Sequence, residues 1–247
     1  MPPVIEFAGV TYSAGGRAIL RDFNLRVEEA ETLVLLGRSG SGKTTALKLV
    51  NGLLMPERGK VLVEGKSTAE WDLVRLRRRI GYVIQEAGLF PHFTVRDNVG
   101  LVPRLELWDQ PRIESRVDDL LAKVGLPPGE YAARYPRQLS GGQRQRTGVA
   151  RALAIDPPIL LFDEPFGAVD PVTRNDLQKQ FLGLRDTLRK TSLFVTHDTR
   201  EALRVGSRIA LLSGGQLIFL GSGDEFMRSQ DPEAQAFLET IATPHAN

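Results

Sequence analysis

Short apolar runs alternate with amphipathic stretches along the chain, so that a strand-like period gives way repeatedly to a helical one. VIEFAGVTY (4–12), NLRVEE (24–29) and TLVLL (32–36) are divided by glycine-rich or polar breaks and predict an antiparallel β part at the start. TTALKLVNGLL predicts a helix, which MPERG ends through Pro56 and Gly59 before the strand-like KVLVEG. Further strands are expected at 80–84 (IGYVI), 158–162 (PILLF), 192–196 (SLFVT), 208–212 (RIALL) and 217–221 (LIFLG). From 86 to 155 no convincing strand occurs, and Pro91, Pro103, Pro111, Pro127 and Pro128 punctuate helical patterns such as PRIESRVDDLLAKVGL. The prediction is an α/β fold with a mainly parallel sheet flanked by helices. A helical lobe over 86–155 is inserted in a body built from 1–85 and 156–247. The terminal ETIATPHAN reads as a fraying end.

The 247 residues suit one body with an inserted lobe. A hydrophobic share of 42% against 25% charged builds a full core and excludes a disordered or fibrous chain. The absence of cysteine excludes disulfide frameworks, thiolate metal sites and cysteine nucleophiles. Thirty-two basic and thirty acidic side chains leave a net charge of +2, too small an imbalance to imply a nucleic-acid partner. The start shows no basic-then-apolar leader, and no apolar run approaches the ~20 residues of a membrane helix. A soluble chain is expected, whose membrane role would need a partner.

Gly37-Arg38-Ser39-Gly40-Ser41-Gly42-Lys43-Thr44 satisfies G-x-x-x-x-G-K-[ST] directly after an apolar strand and before a helix. Glycines let the backbone curl until successive N–H groups face phosphate oxygens, and the helix N-terminus adds its partial positive charge. Lys43 suits the β and γ phosphates, and Thr44 suits Mg²⁺. The bland reading is a glycine-rich turn before a helix, which this context disfavours. Downstream, Ile159-Leu160-Leu161-Phe162 delivers Asp163 and Glu164 to a strand's carboxyl end, the edge where open α/β sheets bind ligands. Asp163 suits Mg²⁺ and Glu164 suits a base for attacking water, although two acids after an apolar run also read as a helix cap. His197 and Gln85 end the strands SLFVT and IGYVI in the same manner, as candidates for a γ phosphate and for Mg²⁺ or water. His92 reads as a loop residue and His245 lies in the tail.

One pentapeptide occurs twice, as Leu139-Ser140-Gly141-Gly142-Gln143 and as Leu212-Ser213-Gly214-Gly215-Gln216. The first precedes RQRTGVARALAI, so Ser140 is expected to cap a helix whose glycine amides face an anion. The second joins RIALL to LIFLG, a two-residue hairpin signal with no chemistry.

These motifs, in this order, resemble the nucleotide-binding subunit of ATP-binding-cassette (ABC) transporters over nearly the whole chain. The resemblance implies a single ABC ATPase domain, 1–247, on a P-loop NTPase core, with ATP and Mg²⁺ as cofactors. It makes Tyr12 the aromatic that stacks on adenine and Gly37 to Thr44, with Thr45, the Walker A loop. Gln85 becomes the Q-loop glutamine, Leu139 to Gln143 the signature, Ile159 to Asp163 Walker B and Glu164 the catalytic base. Asp170 becomes the D-loop aspartate and His197 the switch histidine, while Val169 stands where the family commonly has leucine. Two copies are then implied to pack head to tail, each ATP lying between one subunit's cradle and the other's Ser140-Gly141-Gly142. Also implied are integral membrane permease subunits, a solute-binding protein, and a place on the cytoplasmic face of the membrane. Ala87 to His92, including Phe90, would wall the groove that takes a permease helix.

EAGLFPHFTVRDNVGLVPRLELW and THDTREAL are similar to the corresponding segments of importers of quaternary amine osmoprotectants such as glycine betaine, choline and carnitine. Many of those subunits carry paired regulatory domains after the ATPase body; with Asn247 as the last residue, that regulation is expected to be absent or to lie elsewhere. The alternatives are an importer ATPase for another small solute, a cassette ATPase working on nucleic acid or ribosomes, and a nucleotide-dependent switch with negligible turnover. The second usually shows two cassettes or a long coiled-coil insertion, neither of which is present, and Glu164 with His197 argues against the third. A P-loop kinase would leave Ser140 to Gln143 without a use.

Overall fold

The computed structural model describes residues 2–85, 87–167 and 169–242. In chain order the elements begin with β1 (Ile5–Ala14), β2 (Arg17–Val27), β3 (Thr32–Leu36), α1 (Lys43–Val50), β4 (Arg58–Val63), β5 (Lys66–Ser67) and α2 (Leu73–Arg78). There follow β6 (Ile80–Val83), α3 (Val95–Leu105), α4 (Gln110–Lys123), α5 (Pro128–Tyr131), α6 (Gly141–Ala152), β7 (Ile159–Asp163) and α7 (Pro171–Leu188). The chain closes with β8 (Thr191–Thr196), α8 (Thr199–Val205), β9 (Arg208–Ser213), β10 (Gln216–Gly221), α9 (Gly223–Met227) and α10 (Pro232–Ala242). They form two compact units, Met1–Arg77 with Lys190–Asn247, and Arg78–Arg189.

The first unit holds an antiparallel sheet in the order β2-β1-β4-β5 and strands in the order β10-β9-β3-β8. In the antiparallel sheet Ile5 pairs with both Val27 and Val63, and alternate residues Ile5, Phe7, Leu25 and Val27 point into the core. β3 runs parallel to β8 and β9. The expectation that 32–36 belongs with the antiparallel part is therefore corrected. All five residues of β3 and all six of β8 are buried, the mark of strands covered on both faces, as parallel strands are. NLRVEE is the end of a longer strand, β2, whose Arg17, Arg21 and Asp22 face outward and mask Leu20 and Phe23. The first helix stops at Val50, four residues before its predicted end. Gly52 turns with φ +65°, and Leu53 and Leu54 both donate to the Lys48 carbonyl at 2.9 Å.

In the second unit β6 and β7 pair in parallel, Ile80 with Ile159 and Val83 with Phe162. As expected, no strand lies between 86 and 155 among the described residues. Val95, Val99, Ile113, Val117, Leu120 and Leu121 form the apolar interior of the helices there. Thr94 and Asp97 make a reciprocal cap on α3, and Asp109 accepts from the Arg112 amide at 2.9 Å to start α4. At the chain's end, the predicted fraying from 239 is corrected for 239–242, which remain helical in α10 on the buried Ala234 and Phe237. Residues 243–247, His245 among them, lie outside the described residues.

Candidate nucleotide site

In the first unit the loop after β3 is shaped by glycine at several points. Gly37, Gly40 and Gly42 have φ of +158°, +79° and +106°. A Cβ on Gly42 would lie 2.7 Å from the Leu20 side chain, and one on Gly37 would strike the Leu212 carbonyl. The Lys43 ammonium is buried and donates to the carbonyls of Gly37 (2.7 Å) and Arg38 (3.0 Å), which seats it inside the loop. Helices α3, α4, α6, α7, α8 and α9 each begin on a Thr, Asp or Ser side-chain cap. Helix α1 begins on Gly42 with no side-chain cap and no acid in its first turn, so its leading amides and dipole are directed at the loop. The donors suit a chain of phosphates.

Two further predicted residues fall near this loop. Leu36 is in register with Thr196, so Gly37 and His197 leave adjacent parallel strands at the same edge. His197 is exposed, and Asp198 turns the chain at once by capping α8 through the Glu201 amide at 3.1 Å. Tyr12 is half-buried in β1, opposite the Leu20 whose side chain abuts Gly42. Arg38 is different: its side chain pairs with Glu233 at 2.6 Å, and this hydrogen bond holds the guanidinium above its ordinary pKa.

The second unit gathers Gln85, Asp163 and Glu164 at the carboxyl ends of β6 and β7. A Cβ on Gly167 would stand 3.3 Å from Gln85 Nε2 and 3.6 Å from Glu164 Oε2, so both side chains flank one glycine. Glu164 does not cap a helix; it sits at φ +46°, a left-handed conformation rare outside glycine, in the turn closed by Gly167 N to Glu164 O at 3.1 Å. The next helix is capped instead by Asp170, which accepts from the amides of Val172 (3.1 Å) and Thr173 (3.0 Å). Its contacts with Thr173 hold the Asp170 carboxyl below the usual range.

Ser140 caps α6 as predicted, accepting from Gln143 N at 3.2 Å while Gln143 Oε1 accepts from Ser140 N at 2.9 Å. The second copy is the predicted hairpin, with Gly214 and Gly215 at φ +56° and +83° between β9 and β10.

Three contacts escaped the reading of the sequence because each depends on tertiary pairing. The Tyr82 hydroxyl donates to Asp163 Oδ2 at 3.1 Å, and burial followed by the Asp163 charge pushes the phenol pKa up, keeping it a donor. Arg151, near the end of α6, donates to the carbonyls of Ala87 (2.7 Å) and Gly88 (2.8 Å), both in left-handed conformations just past Gln85. Arg174 donates to Phe166 O (3.2 Å) and Val169 O (3.3 Å), bracing the segment between Glu164 and α7. The one available signal was the alternation of β6, which points Tyr82 away from its neighbours Gly81 and Val83.

A phosphate-binding loop between a buried parallel strand and an uncapped helix defines a P-loop nucleotide-binding α/β protein. Residues 20–167 match the ABC transporter family, and the chain belongs to it. It is 45% identical over 229 residues to the choline transport ATP-binding protein OpuBA of Bacillus subtilis, covering 93% of this chain and 60% of that one. To the osmoprotectant import ATP-binding protein OsmV of Salmonella typhimurium it is 50% identical over 204 residues, covering 83% and 53%. The glycine betaine uptake system ATP-binding protein YehX of Escherichia coli is 45% identical over 219 residues, covering 89% and 71%. The chain thus spans little more than half the length of the first two. Among solved structures, the dimeric post-hydrolysis state of the ATP-binding cassette MJ0796 bound to ADP and Pi aligns with TM-score 0.78 at 33% identity, over 88% of this chain and 98% of that one. The fold is also that of cbiO1 from Clostridium perfringens, with TM-score 0.84 at 24% identity over 98% of this chain and 97% of that one.

Proposed function

We propose that the chain binds and hydrolyses ATP to power a membrane importer of quaternary amine osmoprotectants such as glycine betaine or choline. The observation that carries the ATPase reading is the loop after β3, where a buried Lys43 is seated on the loop's own carbonyls at the start of a helix with no side-chain cap. The solute class rests on the names of the relatives at 45–50% identity and on the segment after Gln85.

In this reading the amides of Gly37 to Thr45 and the ammonium of Lys43 bind the phosphates, and Tyr12 stacks on the base. Thr44, Gln85 and Asp163 would be the residues to hold Mg²⁺: hydroxyl, amide and carboxylate oxygens are the hard donors this cation takes, and it would supply neutralisation of phosphate charge. Glu164 accepts the proton of the attacking water and His197 contacts the γ phosphate. The left-handed backbone at Glu164 is the kind of strain retained where a side chain must be aimed.

Ser140, Gly141 and Gly142, with Gln143, engage the ATP of a second copy, and Asp170 lies at that same junction. A γ phosphate present in ATP and absent from ADP then gives closure and reopening their driving force. No helix among the described residues is long and apolar enough to cross a membrane. In this reading permease subunits, fed by a solute-binding protein, hold the chain at the cytoplasmic face. Phe90, 42% exposed beside His92 and Phe93, offers an aromatic wall for a permease helix.

The test is Glu164→Gln. It should retain ATP binding, lose turnover and accumulate an ATP-dependent dimer in size-exclusion chromatography; normal turnover would remove Glu164 from its role. Stimulation of the reconstituted complex by glycine betaine or choline, and not by unrelated solutes, tests the substrate class.

A further inference from the structure

Helix α10 touches both loops of the nucleotide edge in the first unit, one from each of its ends. Near its start Glu233 accepts Nε of Arg38 at 2.6 Å and Nη2 at 3.3 Å, a forked pairing on the second residue of the cradle. Asp231 Oδ1 accepts the amides of Glu233 (2.9 Å) and Ala234 (3.1 Å), which fixes that end of the helix. From its middle to its other end the Phe237 carbonyl accepts from Thr199 Oγ1 at 3.1 Å, the Thr240 hydroxyl lies 3.3 Å from Thr199 Oγ1, and the Ile241 carbonyl accepts from Arg200 Nη2 at 3.0 Å. Thr199 and Arg200 follow His197 by two and three residues, and Thr199 is buried.

The Arg38 side chain is 69% exposed, and exposed pairs add little to folding. What the pair does is place the loop. The carbonyls that seat Lys43 are those of Gly37 and Arg38, so any displacement of Arg38 moves the seat of the ammonium. With Leu36 and Thr196 in register, the cradle and the His197 turn are neighbours whose spacing β3 and β8 set at the strand ends, and α10 sets beyond them.

We propose that α10 is a clasp that positions the cradle and the His197 turn against each other, with Glu233 and Thr199 as its positioning residues. The Arg38 guanidinium then acts through Glu233 and not on a phosphate. The proposal rests on the reading of the cradle as the ATP site.

The experiment measures ATP affinity and kcat on the full chain for Arg38→Ala, Glu233→Ala, the double variant, Glu233→Asp and Thr199→Val. Arg38→Ala and Glu233→Ala should each weaken ATP binding about two- to fivefold. The double variant should be no worse than either, and Glu233→Asp should recover most of the loss. Thr199→Val should lower kcat about fivefold with ATP affinity near wild type. Thr240→Val, at an exposed position, probes the same contact should the buried variant misfold. Additive losses in the double variant would mean that Arg38 meets the phosphates directly, and unchanged affinity and kcat throughout would mean that α10 is scaffold only; either overturns the proposal. Lys43→Ala separates the two levels: if it retains full ATP affinity the cradle reading itself falls, and if it abolishes binding while the α10 variants are silent only the clasp falls.

Discussion

The pentapeptide LSGGQ stands twice in one chain, once at 139–143 and once at 212–216, and folding gives the two copies different tasks. The same substitution in each is therefore an internally controlled experiment. Ser140→Ala removes the oxygen that accepts the Gln143 amide at 3.2 Å and leaves one of the first amides of α6 without its cap. Losing such a cap costs about 1 kcal/mol, within roughly 0.5–2. For a chain of this size each kcal/mol lowers the melting temperature by about 2–4 °C. Ser213 ends a strand in a hairpin and caps no helix, so Ser213→Ala should stay within about 0.5 kcal/mol of wild type. The order reverses at the glycines of the hairpin. Gly215 has φ +83° and a Cβ there would strike the Ile19 carbonyl, so Gly215→Ala should cost more than about 1 kcal/mol.

Activity should divide along another line. If Ser140 hydrogen-bonds a γ phosphate, removing a bond to a charged group lowers ATPase activity by roughly tenfold or more. Ser213→Ala and Gly215→Ala should hydrolyse ATP at the wild-type rate per folded molecule. Urea unfolding and a coupled ATPase assay on the same preparations read both quantities. An ATPase loss in Ser213→Ala as deep as in Ser140→Ala, or full activity in Ser140→Ala, would refute the assignment of chemistry to the first copy alone.

Tyr82→Phe removes the 3.1 Å bond to Asp163 and should raise the Mg²⁺ concentration for half-maximal ATPase about two- to fivefold, with Mg²⁺-free ATP binding unchanged; an unaltered Mg²⁺ titration would reduce Tyr82 to packing. Arg151→Ala leaves the Ala87 and Gly88 carbonyls without their guanidinium, and should cost about 2 kcal/mol in urea unfolding and lower ATPase activity more than ATP affinity. Burial opposes ionisation of Asp97, but its bonds from the Thr94 hydroxyl and Arg104 guanidinium outweigh that and hold its pKa below the usual carboxylate value. Its stabilising contribution is thus complete above the unfolded pKa and is lost as pH falls through the folded one; with the side chain 39% exposed it amounts to under about 1 kcal/mol. Asp97→Asn should remove that acid-side dependence from the pH profile of unfolding, and an unchanged profile would show that α3 does not depend on the charge.

What the sequence made legible was whatever physical chemistry writes locally. The cradle needs glycines, a lysine and a following helix within one short segment, and each is visible as a residue type at a spacing. The two LSGGQ copies were separable because their flanks differ in period, helical after Gln143 and strand-like on both sides of Gly214-Gly215. The sheet of TLVLL is not legible in the sequence, because an apolar run records that both faces are buried and not which strand lies beside it. Tyr82, Arg151 and Glu233 were missed for a related reason. An aromatic in a strand, an arginine on a helix and a glutamate in a helix's first turn are ordinary residues, and they become specific only when a segment far along the chain presents the carboxylate, carbonyl or guanidinium that they meet. The residues proposed to meet a nucleotide are therefore written in motifs, while the contacts that fix those motifs in place are written only in the fold.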